Sequence, residues 1–96
     1  MEGLSYEFTC TAGLVQAEGT FRGNAFYFWS KYDEWTFSLS EDKTIDPVDI
    51  QFPEQGAEYG FFASGSYKNA SYMPLKEADE IICRCLREYL ERKSVS

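Results

Sequence analysis

The sequence predicts an α+β domain, in which a three- to four-stranded antiparallel β-meander carries one C-terminal helix on its apolar face. Between residues 15 and 40, apolar residues recur with the period of two that strands have, although residues 26–29 are aromatic on both faces of their predicted strand. After residue 76, apolar residues recur instead at helical spacing. We expect one compact domain over residues 1–96, with the meander at about 4–66 and the helix at about 76–92.

The first hairpin turn is predicted at Gly23 and Asn24, because glycine at the first central position suits a type II′ turn. This turn pairs Phe21 with Phe26. Directly opposed residues of an antiparallel pair share a face of the sheet. One face of the hairpin is therefore mostly polar, and the other is apolar, with Val15, Ala17, Phe21, Phe26 and Phe28.

The second turn falls near residues 32–34, and its loop is expected to be even in length. An even loop that places Phe28 opposite Leu39 adds Trp35, Phe37 and Leu39 to the apolar face, whereas an odd loop would turn these side chains to water. Two further segments are candidate strands. Residues 4–10 alternate in hydrophobicity, and residues 59–66 are apolar but contain two glycines.

The C-terminal helix has a single apolar stripe, formed by Ala78, Ile81, Ile82, Cys85, Leu86, Tyr89 and Leu90. Acidic residues begin it and basic residues end it, as the helix dipole favours. Pro47 and Pro53 argue against a central strand or a helix interior in residues 41–58. We expect an ordered loop there, with a short extended piece.

The formal charge of −7 is unevenly distributed. Residues 1–75 contain eleven acidic and four basic residues, which accounts for the whole excess, and residues 41–58 contain six acids and one lysine. Such a charge repels nucleic-acid phosphates and anionic membranes and attracts basic surfaces. We expect a protein partner with a basic surface, without direct binding to nucleic acid or membrane.

The residue types argue against catalysis, a cofactor or a metal. The chain has no histidine, which excludes Ser-His and Cys-His nucleophile pairs. Cys83 and Cys85 lie roughly 200° apart around a helix and do not converge on one ion. The spacing of Asp42, Asp46 and Asp49 is not that of an EF-hand. Three cysteines, with no apolar leader or membrane-length run, favour reduced thiols and a cytoplasmic location.

Tyr27 and Trp29 stand out because they project onto the mostly polar face of the hairpin. Large aromatics ringed by polar side chains are typical of interface anchors. The alternative is that residues 4–10 or 45–52 cover them as a second, smaller core layer. The predicted partner-binding residues are Tyr27, Trp29, Glu41, Asp42, Asp46 and Asp49.

The function expected from these features is that of a small acidic, non-catalytic protein. It would bind and inhibit a macromolecular partner with a basic surface, as phage or mobile-element inhibitors, anti-CRISPR proteins and immunity proteins do. The alternative is a small-ligand-binding domain or accessory subunit, with its pocket between the aromatic sheet and the acidic loop.

Overall fold

The computed structural model describes residues 1–95, with the backbone alone at Val95. Five strands form one antiparallel sheet in chain order: β1 (Leu4–Cys10), β2 (Val15–Phe21), β3 (Asn24–Lys31), β4 (Glu34–Ser40) and β5 (Gly60–Ser66). Helix α1 (Pro53–Tyr59) precedes β5, and helix α2 (Leu75–Val95) ends the fold. The α+β class and the antiparallel meander are confirmed.

Helix α2 packs on one face of the sheet, where the apolar residues predicted for the strands and for the helix form a single core. Phe28, Phe37 and Leu86 are fully buried in it. The ring of Tyr89 meets Phe61 at 5.8 Å and an edge-to-face angle, which ties the end of α2 to β5. None of the helices within residues 1–95 has the length and apolar character needed to cross a membrane.

The predicted strand count of three to four is too low, since both outer segments pair. Tyr6 on β1 lies opposite Gly19, which lies opposite Phe26. The Tyr6 ring packs 5.8 Å from the Phe26 ring, and a Cβ at Gly19 would stand 2.3 Å from the Cβ of Tyr6. The missing side chain at Gly19 therefore makes room for β1 to join the sheet.

The first hairpin keeps the predicted faces but not the predicted register. Its central residues are Arg22 and Gly23, both with positive φ (52° and 86°), as in a type I′ turn. Phe21 therefore faces Asn24 instead of Phe26. This turn type favours glycine at its second central position, where Gly23 lies. The Arg22 guanidinium carbon lies 5.1 Å from the centre of the Phe21 ring. The pairing moves by two residues, which leaves every side chain on its predicted face.

The second hairpin has the predicted even loop, made of Tyr32 and Asp33, but pairs Phe28 with Phe37 instead of Leu39. A loop between β5 and α2 holds the turn in this place. The Asp33 carboxylate accepts a hydrogen bond from Asn69 N, and the carbonyl of Tyr32 accepts one from Ala70 N at 2.6 Å. These long-range bonds, which local turn chemistry does not reveal, fix the register.

The acidic segment is more helical than the expected extended loop. A 3₁₀ turn spans Pro47–Asp49, and α1 begins at Pro53. Proline is favoured at the first position of a helix, where its missing N–H would have no intrahelical partner. The Gln55 side chain caps this end, because its Oε1 accepts hydrogen bonds from Gln51 N and Phe52 N at 2.8 and 3.2 Å.

Candidate partner-binding surface

The side of the sheet opposite α2, which we call the second face, carries the residues of interest. One row of directly paired residues crosses all five strands and reads Glu7, Glu18, Tyr27, Ser38 and Phe62. The neighbouring row contains Trp29 paired with Thr36. Two acids and three large aromatic rings thus share one surface of the molecule.

Tyr27 and Trp29 lie on the second face, as the sequence predicts, and both are half-buried. The Tyr27 hydroxyl accepts a hydrogen bond from Gln16 Nε2 at 2.6 Å. Burial raises the pKa of Tyr27 above its ordinary value, and this outweighs the lowering by Gln16. The phenol is therefore neutral at physiological pH and presents an apolar ring held at its polar tip.

The acidic segment covers part of the second face and leaves a groove beside it. The Ser38 hydroxyl donates a hydrogen bond to the carbonyl of Pro47 at 2.6 Å, and Pro47 and Ile50 are buried. The groove has a volume of about 350 Å³ and lies between this segment and the sheet. Its lining is Tyr27, Trp29, Thr36, Ser38, Val48, Ile50, Gln51 and Phe62.

The three predicted aspartates stay exposed along the covering segment, and two of them shape its turns. Asp42 accepts hydrogen bonds from the Thr44 hydroxyl and amide at 2.6 and 2.8 Å, and these bonds lower the pKa of its carboxyl. Asp46 caps the 3₁₀ turn by accepting a hydrogen bond from Val48 N at 2.9 Å. Both carboxylates lie at the surface and order the segment through these hydrogen bonds.

Glu41 is placed apart from the other predicted site residues. Its carboxylate accepts hydrogen bonds from the Tyr89 hydroxyl at 2.6 Å and from Lys93 Nζ at 2.8 Å, both on α2. The bond from Lys93, and then that from Tyr89, lowers the pKa of Glu41. Burial, together with the Glu41 carboxylate, raises the pKa of Tyr89 to about 12. Glu41 therefore belongs to the contact between the acidic segment and α2.

Glu7 and Glu18 are acidic residues of the second face that the sequence alone does not single out. They are exposed, directly opposed on β1 and β2, and line a shallow hollow of about 330 Å³ next to Tyr27. Like charges placed directly opposite in a sheet repel each other. The alternation of Leu4, Tyr6 and Phe8 already places Glu7 on the polar face, but only the β1 register brings it to Glu18.

Two apolar residues of the groove were also missed. Phe62 lies on the second face because it pairs with Ser38 of β4. The sequence of residues 59–66, which contains two glycines, does not predict this register. Val48 is exposed at the groove's margin, on the 3₁₀ turn that the sequence reasoning did not predict. The predicted pair of aromatics is thus part of a larger apolar surface.

One of the three cysteines lies in the core. Cys85 is buried in the core, and burial raises the pKa of its thiol to about 12. In the part of the chain that the structure describes, no three histidine, cysteine, aspartate or glutamate residues gather in a way that suits a metal ion.

Comparison with known proteins gives no relative: no protein-family model, no curated protein and no solved structure matches this chain.

Proposed function

We propose that this chain is a non-catalytic cytoplasmic protein that binds a protein partner with a basic surface through the second face, and so inhibits it. Phage and mobile-element inhibitors, anti-CRISPR proteins and immunity proteins act in this general way. The observation that carries the proposal is the groove at Tyr27, Trp29 and Phe62, which is flanked by exposed carboxylates.

The aromatic groove supplies what an interface anchor needs. Tyrosine and tryptophan dominate binding energy where they become fully desolvated in a complex. Tyr27 and Trp29 are already half-buried and Tyr27 is held by Gln16, so little side-chain freedom remains to be lost on binding. A partner that closes the groove would remove the remaining apolar surface from water.

The charges around the groove select the partner. Glu7 and Glu18 lie on one side of Tyr27, while Asp46 and Asp49 lie on the segment that bounds the groove. Carboxylates at an interface rim steer encounter with a basic surface and repel acidic ones. A basic surface that ordinarily holds nucleic acid would be blocked by this occupation, which gives a direct route to inhibition.

A small-ligand-binding role is the second candidate, and the groove volume favours it. About 350 Å³ is within the range of ligand pockets, near its lower end of roughly 300 Å³. Under this alternative, the acidic rim has no part in binding. Neutral substitutions of the rim carboxylates would then leave ligand affinity unchanged, whereas they weaken binding to a basic protein partner.

The proposal is tested by capture of the partner from a cell lysate. Immobilised protein is compared with a Tyr27→Ser, Trp29→Ser variant and with Tyr72→Ser, a matched control whose ring is 80% exposed at another site. We expect a basic protein that the wild type and the control retain and that the double variant loses. Equal retention by all three proteins would overturn the proposal.

A further inference from the structure

The pattern of cation–ring contacts leads to a more specific statement about the partner. We infer that the partner segment carries an arginine, and that its guanidinium enters the groove and stacks on Trp29 and Tyr27. This inference rests on the proposed function. Three observations support an arginine side chain as the group that occupies the groove.

First, the chain supplies its own cations to other rings but not to these two. A lysine or arginine group lies 5.0 to 6.0 Å from the ring centre in four pairs: Arg22 with Phe21, Lys31 with Tyr32, Arg84 with Trp35, and Arg92 with Phe61. Within residues 1–95, no such contact involves Tyr27 or Trp29. Tryptophan and tyrosine are better cation–π partners than phenylalanine, so the groove offers two good ring faces without an internal cation.

Second, the adjoining carboxylates repel each other in the free protein. Glu7 and Glu18 face each other across β1 and β2, and Glu18 also faces Tyr27. Neither carboxylate has a hydrogen bond or an ion pair in the described part of the chain. A cation bound beside Tyr27 would offset this repulsion.

Third, the groove's shape and polar groups suit a guanidinium more than an ammonium. Its volume of about 350 Å³ matches one or two long side chains and is small for a whole helix. Thr36 and Gln51 in its lining offer oxygen acceptors beside the rings. A planar guanidinium stacks on aromatic faces and is weakly hydrated, whereas an ammonium is a strongly hydrated point charge. Arginine therefore loses less hydration than lysine in this half-enclosed space.

The test uses two capped pentapeptides, one with two arginines spaced by glycine and one with lysines at the same positions. Each is titrated into ¹⁵N-labelled protein while the Trp29 indole N–H signal is followed. We expect saturable shifts at Trp29 and Gln51, and a dissociation constant for the arginine peptide about two- to fivefold lower than for the lysine peptide. A Glu7→Gln, Glu18→Gln variant should bind the arginine peptide less tightly. The matched Glu80→Gln, Glu91→Gln variant on α2 should bind it as the wild type does.

The peptide titrations distinguish failure of the arginine inference from failure of the proposed function. If both peptides shift second-face signals with equal affinity, the arginine inference is wrong and binding to a basic partner stands. If neither peptide shifts second-face signals, or if both bind along α2, the inference and the basic-partner proposal fall together.

Discussion

Strand β3 shows, residue by residue, how one short segment serves both the core and a surface. Phe26 and Phe28 are at most 1% exposed, while Tyr27 and Trp29 between and beside them face the opposite side and remain half-buried. Successive side chains of a strand point to opposite faces, so this division follows directly from the alternation. It separates the side chains that build the core from those that lie on the second face.

This division predicts different costs for substitution in β3. Phe28→Ala should lower the free energy of unfolding by about 3–5 kcal/mol, as for other fully buried aromatics. The Tyr27→Ser, Trp29→Ser variant should lose clearly less, because these side chains are only partly buried and lie outside the core that α2 covers. Urea unfolding followed by circular dichroism measures both. If the double variant is as unstable as Phe28→Ala, these rings are a second core layer and not a binding surface.

The Glu41 carboxylate predicts a pH dependence of stability. Its pKa in the folded protein is lowered by Lys93 and Tyr89, so its contribution is present above the ordinary value of 4.5 and is lost as the pH falls through the folded value. Because Glu41 is exposed, we expect Glu41→Gln to cost only about 0.5–1 kcal/mol at pH 7.

Urea unfolding at several pH values checks this prediction. The stability difference between wild type and Glu41→Gln should shrink towards zero in acid, while the matched Glu80→Gln variant on α2 should match the wild type at pH 7. A difference that stays constant from neutral to acid pH would contradict the role given to this ion pair.

At the scale of elements, the two hairpin turns show what local sequence decides. The side-chain faces were predictable, because each turn has an even loop and every apolar residue would otherwise meet water. The register of the second hairpin was not predictable, because it depends on hydrogen bonds from Asn69 and Ala70 to the turn, and these residues lie far along the chain. The face on which each side chain lies follows from the alternation within a strand, whereas the register of the second hairpin depends on tertiary contacts.

The second turn predicts a stabilising substitution. Tyr32 has φ of +60°, in the left-handed region, where asparagine is less strained than a bulky residue. Tyr32→Asn should raise the free energy of unfolding by about 0.5–1 kcal/mol. Loss of the contact between Lys31 and the Tyr32 ring reduces this gain. Urea unfolding measures the gain. Tyr72→Asn is the control, since Tyr72 is also exposed to solvent but has negative φ, and it should give no gain. A loss of stability in Tyr32→Asn would refute the strain argument.

Over the whole molecule, negative charge is concentrated away from α2. The helix contains five basic and five acidic residues, so the excess of −7 lies on the sheet and its connections. Glu7, Glu18, Asp42, Asp46 and Asp49 belong to the second face or to the segment that borders it. The second face and its border therefore carry more negative charge than the side of the sheet that α2 covers.

The candidate site was predictable in part. Strand alternation was enough to select Tyr27 and Trp29, and composition was enough to select the aspartates. Charge counting did not reveal that the Glu41 carboxylate is bonded to Tyr89 and Lys93 on α2. Glu7 and Phe62 enter the surface only through the pairing of the outer strands, which no local pattern specifies.

The central claim, that the second face binds a basic partner, is tested most directly by the association rate of the captured partner at different salt concentrations. The Debye length falls from about 30 Å at 0.01 M salt to about 8 Å at 0.15 M, so the wild-type rate should decrease steeply over this range. A Glu7→Gln, Glu18→Gln, Asp46→Asn variant should associate more slowly at low salt and with a flatter dependence, since asparagine keeps the cap at Val48.

The control in this measurement is Glu80→Gln with Glu91→Gln, which removes charge from α2 alone. This control should follow the wild-type curve, while the second-face variant should depart from it. The same salt dependence in all three proteins would contradict the claim that the second face steers and holds the partner.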